Sequence, residues 1–127
     1  MARIVLDEDQ VHIDLSFADK VLSFSGSLRV PYSHIKSIST DPVSPDWYHG
    51  IQIGTNLPPF KVASTFITEE GNIFYDFHDP HRCITLDLEH ERYVRIVVEI
   101  EASQSLSSLV EEIRAHVEKS HKKVGQS

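Results

Sequence analysis

The sequence predicts a mainly β domain that ends in one amphipathic helix, an α+β fold by element count. Two segments carry the β prediction, Arg82–Leu88 and Tyr93–Glu101, because apolar residues occupy every second position in each. From Leu106 to Lys119 the apolar residues instead recur every three or four positions. A change from period 2 to period 3.6 marks the junction of a strand and a helix.

Length and composition are typical of one globular domain over residues 1–127. A net charge of −7 argues against a nucleic-acid surface, which needs an excess of Lys and Arg to neutralise phosphates. The single cysteine, Cys83, excludes an internal disulfide framework and favours a reducing compartment. We find no apolar run near the roughly 20 residues of a transmembrane helix, and acidic residues follow Ile4-Val5-Leu6 at once, without a signal-peptide core. We therefore expect a cytoplasmic protein.

The first half of the chain continues the β pattern. The predicted strands are Arg3–Leu6, Val11–Leu15, Lys20–Phe24, Leu28–Pro31 and Ile35–Ser39. A turn at Ser25-Gly26-Ser27 separates the third strand from the fourth, since glycine accepts a positive φ. Pro31 cannot donate a hydrogen bond to a neighbouring strand, so it is expected at an edge or a bend.

The segment Asp41–Pro59 interrupts this regular pattern. It contains four of the six prolines, two glycines and the only tryptophan, Trp47. A short strand is predicted inside it at Ile51–Ile53. Long irregular segments of this kind often carry function.

The second half of the chain returns to short strands and then forms the helix. Strands are predicted at Lys61–Ile67 and Ile73–Phe77, with turns at 69–72, 79–81 and 89–91. The helix is predicted over about 106–121, followed by a flexible tail at 122–127. Ser105 or Ser107 can cap its beginning, and Gly125 can terminate it.

Several stretches of the sequence resemble one family. They are Lys20–Pro31 followed by Ile35, Gly50–Pro58, Gly71 with Phe74, Ile84–Leu86 and Tyr93–Val97. Over roughly Val11 to Val117 the chain resembles small bacterial pleckstrin-homology-like (PH-like) domain proteins of uncharacterised function. The resemblance implies a barrel of about seven antiparallel strands in two roughly orthogonal sheets, with the helix capping one end. It also implies a binding or scaffold module that is able to form homo-oligomers.

Phosphoinositide binding, which the family resemblance brings into consideration, is not supported by the residues. PH domains that bind these lipids carry Lys and Arg around their first long hairpin loop. The corresponding stretches here, 16–20 and 25–29, hold one basic residue each, and Asp19 would repel phosphate. We therefore expect no phosphoinositide site.

The main candidate surface is a group of aromatic and apolar residues around the irregular segment. Large aromatic side chains with a polar group are common anchors in protein interfaces. The candidate partner-binding residues are Trp47, Tyr48, His49, Leu57, Pro58 and Phe60. Two alternatives stay open: Trp47 can fold back over a strand edge, and an edge strand can itself bind a peptide or a second subunit by backbone pairing.

The alternative function is that of a small-molecule or metal-binding protein, with its site in the turn Asp76–His81. His and Asp side chains are good ligands for zinc or nickel, and the turn offers Asp76, His78, Asp79 and His81. A solvated turn shaped by Pro80 is the competing interpretation. Cys83 and His81 could pair as nucleophile and base, yet no Gly-x-Ser-x-Gly motif or phosphate-binding glycine loop accompanies them. We therefore predict a non-enzymatic binding module without a cofactor.

Overall fold

The structure of the protein, a computed structural model, describes residues 2–16, 27–41, 51–57 and 61–125. This part of the chain forms nine strands and one helix, with short 3₁₀ turns at Tyr32–His34 and Pro80–Arg82. The elements are β1 (Ala2–Leu6), β2 (Gln10–Leu15), β3 (Leu28–Pro31), β4 (Ile35–Ser39), β5 (Ile51–Leu57), β6 (Lys61–Thr68), β7 (Gly71–Phe77), β8 (Cys83–Leu88), β9 (Arg95–Glu99) and the helix α1 (Leu106–Gly125).

The strands form two sheets. The smaller sheet has the order β1-β2-β3, and both of its pairs are antiparallel. The larger sheet has the order β4-β8-β9-β7-β6-β5, in which β7 and β9 are parallel and the other pairs antiparallel. A parallel bridge between Ala2 and Ile100 connects the two sheets, and the Glu101 amide donates to the Ala2 carbonyl at 3.0 Å.

The mainly β class with a C-terminal helix is confirmed, whereas the strand arrangement differs from the prediction. The described residues form nine strands instead of about seven, and one pair is parallel. Within those residues the strands do not close into a barrel, because β4 and β5 lie at the two ends of the larger sheet. Alternation along the sequence marks a strand but does not say which strand it pairs with. The predicted strand Lys20–Phe24 lies outside the described residues.

β5 is longer than the predicted strand Ile51–Ile53. It continues through Gly54 to Leu57 because all seven of its residues pair with β6, from Ile51 opposite Ile67 to Leu57 opposite Lys61. Pairing with the neighbouring strand β6 therefore overrides the low β propensity of Gly54 and Asn56.

One apolar core lies between the two sheets and α1. The smaller sheet contributes alternate residues such as Ile4 and Ile13, the larger sheet contributes Phe74 and Ile96, and α1 contributes Ile113. A second buried cluster lies on the opposite face of the larger sheet: Val62, Phe66, Ile73, Tyr75, Phe77, Cys83 and Val97. The larger sheet therefore carries buried apolar residues on both faces.

The helix begins where the sequence predicts and ends later. The Ser105 hydroxyl accepts a hydrogen bond from the Ser108 amide at 3.3 Å, so Ser105, and not Ser107, is the cap. The helix extends to Gly125, which corrects the predicted end near 121 and places residues 122–125 of the predicted tail in the helix, whereas 126–127 lie outside the described residues. Lysines at 122 and 123 favour the negative end of the helix dipole, and no helix-breaking residue precedes Gly125. In the described part of the chain, α1 is not long and apolar enough to cross a membrane.

Candidate functional site

The predicted aromatic surface falls almost wholly outside the described residues. Trp47, Tyr48, His49, Pro58 and Phe60 lie there, and Leu57 is described only as the backbone end of β5. The assignment of these six residues to a partner surface therefore stays a prediction. The structure does describe β5, the strand that joins the two stretches.

The turn Asp76–His81 is organised by hydrogen bonds to its own backbone. Asp76 is buried within β7, whereas His78 and His81 are exposed and Asp79 is half-buried. Asp79 Oδ1 accepts from the His81 amide at 2.9 Å, which caps the 3₁₀ turn that Pro80 begins. The burial of Asp76 and the exposure of the two histidines set the four predicted ligands in different environments.

Glu99 is a structural residue of this turn that the sequence reasoning missed. Its carboxylate is buried, and Oε1 accepts from the amides of His78 at 2.7 Å and Asp79 at 2.8 Å. Hydrogen bonds to a charged acceptor are stronger than those to a neutral one, so Glu99 holds both amides of the turn firmly in place. The available signal was an acidic residue between Val98 and Ile100 in an otherwise apolar strand.

The metal-site alternative has no further support in the fold. Among the residues that the structure describes, no three His, Cys, Asp or Glu side chains are grouped so that they could hold a metal ion. The carboxylates of Asp79 and Glu99 are engaged with backbone amides. Metal binding by Asp76, His78, Asp79 and His81 thus stays a prediction from sequence alone.

Cys83 occupies a buried position at the start of β8. Its side chain has no exposed surface, and Sγ donates to the Asp79 carbonyl at 3.4 Å. His81, the predicted partner, lies in the 3₁₀ turn and is exposed. A reactive thiol is normally accessible and beside a positive charge, and Cys83 is instead a buried residue beneath a turn.

A polar groove of about 450 Å³ crosses one face of the larger sheet. Four residues in register form its floor, Ser37, Asp87, Arg95 and Ile73 in adjacent strands. Asp87 accepts from Ser37 Oγ at 2.9 Å and from Arg95 Nε at 2.8 Å.

The charges around this groove balance. The cations Lys36 and Arg95 face the anions Glu70 and Asp87. Arg95 also influences Tyr75, because burial raises the pKa of the Tyr75 phenol to about 12 while the arginine charge opposes the rise. An ion pair that satisfies itself selects neither an anionic nor a cationic ligand, so we assign no ligand to the groove.

The two sheets have four strand edges, which differ in whether other described residues cover their backbone. This difference identifies the candidate site. α1 hydrogen-bonds to the backbone of edge strand β4. Arg114 donates to the Ile38 carbonyl at 3.2 Å, and His121 Nε2 lies 3.0 Å from the Ile35 carbonyl. These two helix residues are seven apart and lie on one helix face. The helix therefore covers the β4 edge.

The segment before the helix covers the edge of β1. The Gln104 side chain accepts from the Ile4 amide at 2.9 Å and donates to the Ile4 carbonyl at 2.8 Å, as a neighbouring strand would. The edge of β3 is limited in another way, because β3 has only four residues and ends at Pro31, which has no amide proton.

The edge of β5 has none of these protections in the described part of the chain. Its seven residues include no charge and no proline, and β6 is the one described strand that pairs with it. Ile53 is 48 % exposed, and Ile67, its diagonal neighbour on the same face of β6, is 38 % exposed. A long, uncharged strand edge beside exposed apolar residues is suited to pairing with another strand.

Comparisons with protein-family models, with curated proteins and with solved structures gave no match to this chain. The resemblance to PH-like domains therefore stays a prediction from the sequence.

Proposed function

We propose that this chain is a non-enzymatic binding module that joins a protein partner by strand addition at the edge of β5. One observation carries the proposal, the contrast between β5 and the other edges. The β1 and β4 edges are hydrogen-bonded by Gln104, Arg114 and His121, whereas β5 offers an uncharged backbone beside the exposed Ile53. Backbone pairing supplies affinity, and the exposed apolar face supplies selectivity.

The PH-like barrel is a second part of this proposal. Support comes from two sheets that share one core and from a C-terminal helix packed at the β4 edge of the larger sheet. PH-like folds serve mostly as binding or scaffold modules, which agrees with a site at a sheet edge. A cytoplasmic setting also belongs to the proposal, and the buried Cys83, the single cysteine of the sequence, is compatible with it.

The test compares three immobilised forms of the full chain: wild type, Ile53→Lys and Val5→Lys. Lysine on an edge strand opposes the addition of another strand. Val5 is the matched control, because it is a 40 % exposed aliphatic residue on β1. The edge of β1 is already hydrogen-bonded by Gln104. Proteins retained from the native lysate are quantified for each form by mass spectrometry.

We expect wild type and Val5→Lys to retain the same proteins and Ile53→Lys to lose them. Equal retention by all three forms, or no specific retention by any, would overturn the proposal. Circular dichroism of each form checks that the lysine has not unfolded the chain.

A further inference from the structure

The sequence of β5 is nearly symmetric in chemical type about its central residue, Gly54. The strand reads Ile51-Gln52-Ile53-Gly54-Thr55-Asn56-Leu57. Aliphatic residues occupy both ends, the amides Gln52 and Asn56 come next, and two β-branched residues flank the glycine. A strand of this kind is complementary to a second copy of itself that runs in the opposite direction.

We propose that a second copy of this chain is the partner at the β5 edge, paired antiparallel about a two-fold axis at Gly54. This inference rests on the proposed function of that edge and names its partner. A two-fold axis perpendicular to the sheet keeps the same face of both copies on the same side. Two antiparallel copies of β5 could pair about an axis at any of its residues. Only the axis at Gly54 pairs all seven residues, with Ile51 opposite Leu57 and Gln52 opposite Asn56.

The exposed apolar residues match this arrangement. In the proposed register Ile53 lies opposite Thr55 of the second copy, and the two Ile53 positions become diagonal neighbours across the axis. Ile67 lies beside Ile53 on the same face, so each copy brings an exposed apolar pair to the junction. The face of the larger sheet that carries Ile53 and Ile67 would then continue from one copy to the other.

Charge also permits the pairing. Each chain carries a net charge of −7, so two copies repel one another at long range. The strands that would meet contain no charged residue, and the centre is a glycine. Like charges directly opposite each other would destabilise a cross-strand pair, and the junction contains none.

The first experiment measures the association state of the full chain by sedimentation equilibrium and light scattering over a range of concentrations. We expect a dimer for wild type and for Val5→Lys. For Ile53→Lys we expect a dissociation constant higher by at least about tenfold, because two lysines would become diagonal neighbours. A wild-type monomer at every concentration, or a dimer that both lysine variants weaken equally, would overturn the inference.

The second experiment tests the register with single cysteines under mild oxidation. Gly54→Cys should form a disulfide-linked dimer with itself, since the two positions face each other across the axis. Gln52→Cys should not link to itself, because its two copies would be four residues out of register, about 13 Å apart. Mixing Gln52→Cys with Asn56→Cys should restore the link. Wild type gives the background, since Cys83 is buried.

The two proposals fail in different ways. A monomeric chain that still retains other proteins in an Ile53-dependent manner overturns the second-copy inference and leaves the binding edge standing. A chain that neither dimerises nor loses partners on Ile53→Lys overturns both. A dimer in which Gln52→Cys links to itself and Gly54→Cys does not overturns the register, and with it the inference as stated.

Discussion

Gly71, at the first position of β7, shows how one residue fixes a hairpin in this fold. Its φ is +130°, a region that residues with side chains rarely adopt. A Cβ at this position would lie 2.5 Å from Cγ1 of Val94. The Val94 amide donates to the Asn72 carbonyl at 2.8 Å, so Val94 is held against the turn and cannot easily move away.

Replacing Gly71 with alanine should therefore destabilise the protein through both backbone strain and steric overlap. We expect Gly71→Ala to lower the free energy of unfolding by about 1–3 kcal/mol in urea denaturation. Adding Val94→Ala should recover the steric part, so the double variant should lose less than the sum of the two single variants. Strict additivity would show that Val94 is not the obstacle.

Glu99 is a second single residue that shapes the fold, and its role in the turn at 79–81 was not predicted from the sequence. The predicted turn at 79–81 was confirmed as a 3₁₀ turn begun by Pro80. The carboxylate that holds it comes from a residue about 20 positions away, through hydrogen bonds to the amides of His78 and Asp79. The sequence predicts the turn because Asp79 and Pro80 favour turn geometry. It does not reveal that the carboxylate of Glu99 accepts hydrogen bonds from the amides of this turn.

At the scale of elements, the coverage of sheet edges is the main feature of this structure. Edge strands expose unpaired amides and carbonyls, and proteins normally protect them. Here a glutamine side chain protects β1, and α1 protects β4. The sequence placed most strands and the helix correctly, yet it could not identify the edges, because strand order depends on contacts between distant segments.

The glutamine contact yields a prediction for β1. Gln104→Ala removes two hydrogen bonds to the Ile4 backbone, so the free energy of unfolding should fall by about 1–2 kcal/mol. Hydrogen exchange of the Ile4 amide should accelerate more than that of Val30, which lies in β3 of the same sheet. Ser103→Ala, an exposed neighbouring substitution, should change neither quantity. Unaltered exchange at Ile4 in Gln104→Ala would contradict the proposed role of the glutamine.

At the scale of the whole molecule, two buried tyrosines connect stability to pH. Burial raises the pKa of Tyr32 to about 12, and the nearby carboxylates of Asp7 and Glu112 add to the rise. Burial likewise raises the pKa of Tyr75 to about 12. Tyr32 packs face to face on His116 of α1 at 4.5 Å and donates to the Asp7 carbonyl at 2.8 Å, so it connects the helix to the smaller sheet.

The raised pKa values predict alkaline unfolding. An unfolded tyrosine loses its proton near its ordinary pKa of 10.0, whereas the folded protein retains the proton to about 12. The stabilising contribution is therefore complete below pH 10 and is lost as the pH rises toward 12. We expect the free energy of unfolding to fall with increasing pH in this window, and to fall less steeply in Tyr32→Phe. An equal slope in both proteins would contradict this assignment.

The sequence by itself determined the class of the fold, most strands and the beginning of the helix near Leu106. These features depend on local periodicity, turn residues and capping, which neighbouring residues specify. The tertiary structure alone decided the strand order, the parallel β7–β9 pair, the full length of β5 and the buried role of Glu99. Each of these depends on pairing with, or burial against, another segment of the chain, which the periodicity of one segment does not specify. The candidate edge at β5 is also a feature that only the tertiary structure decides, because a strand becomes an edge only through the order in which the other strands pair.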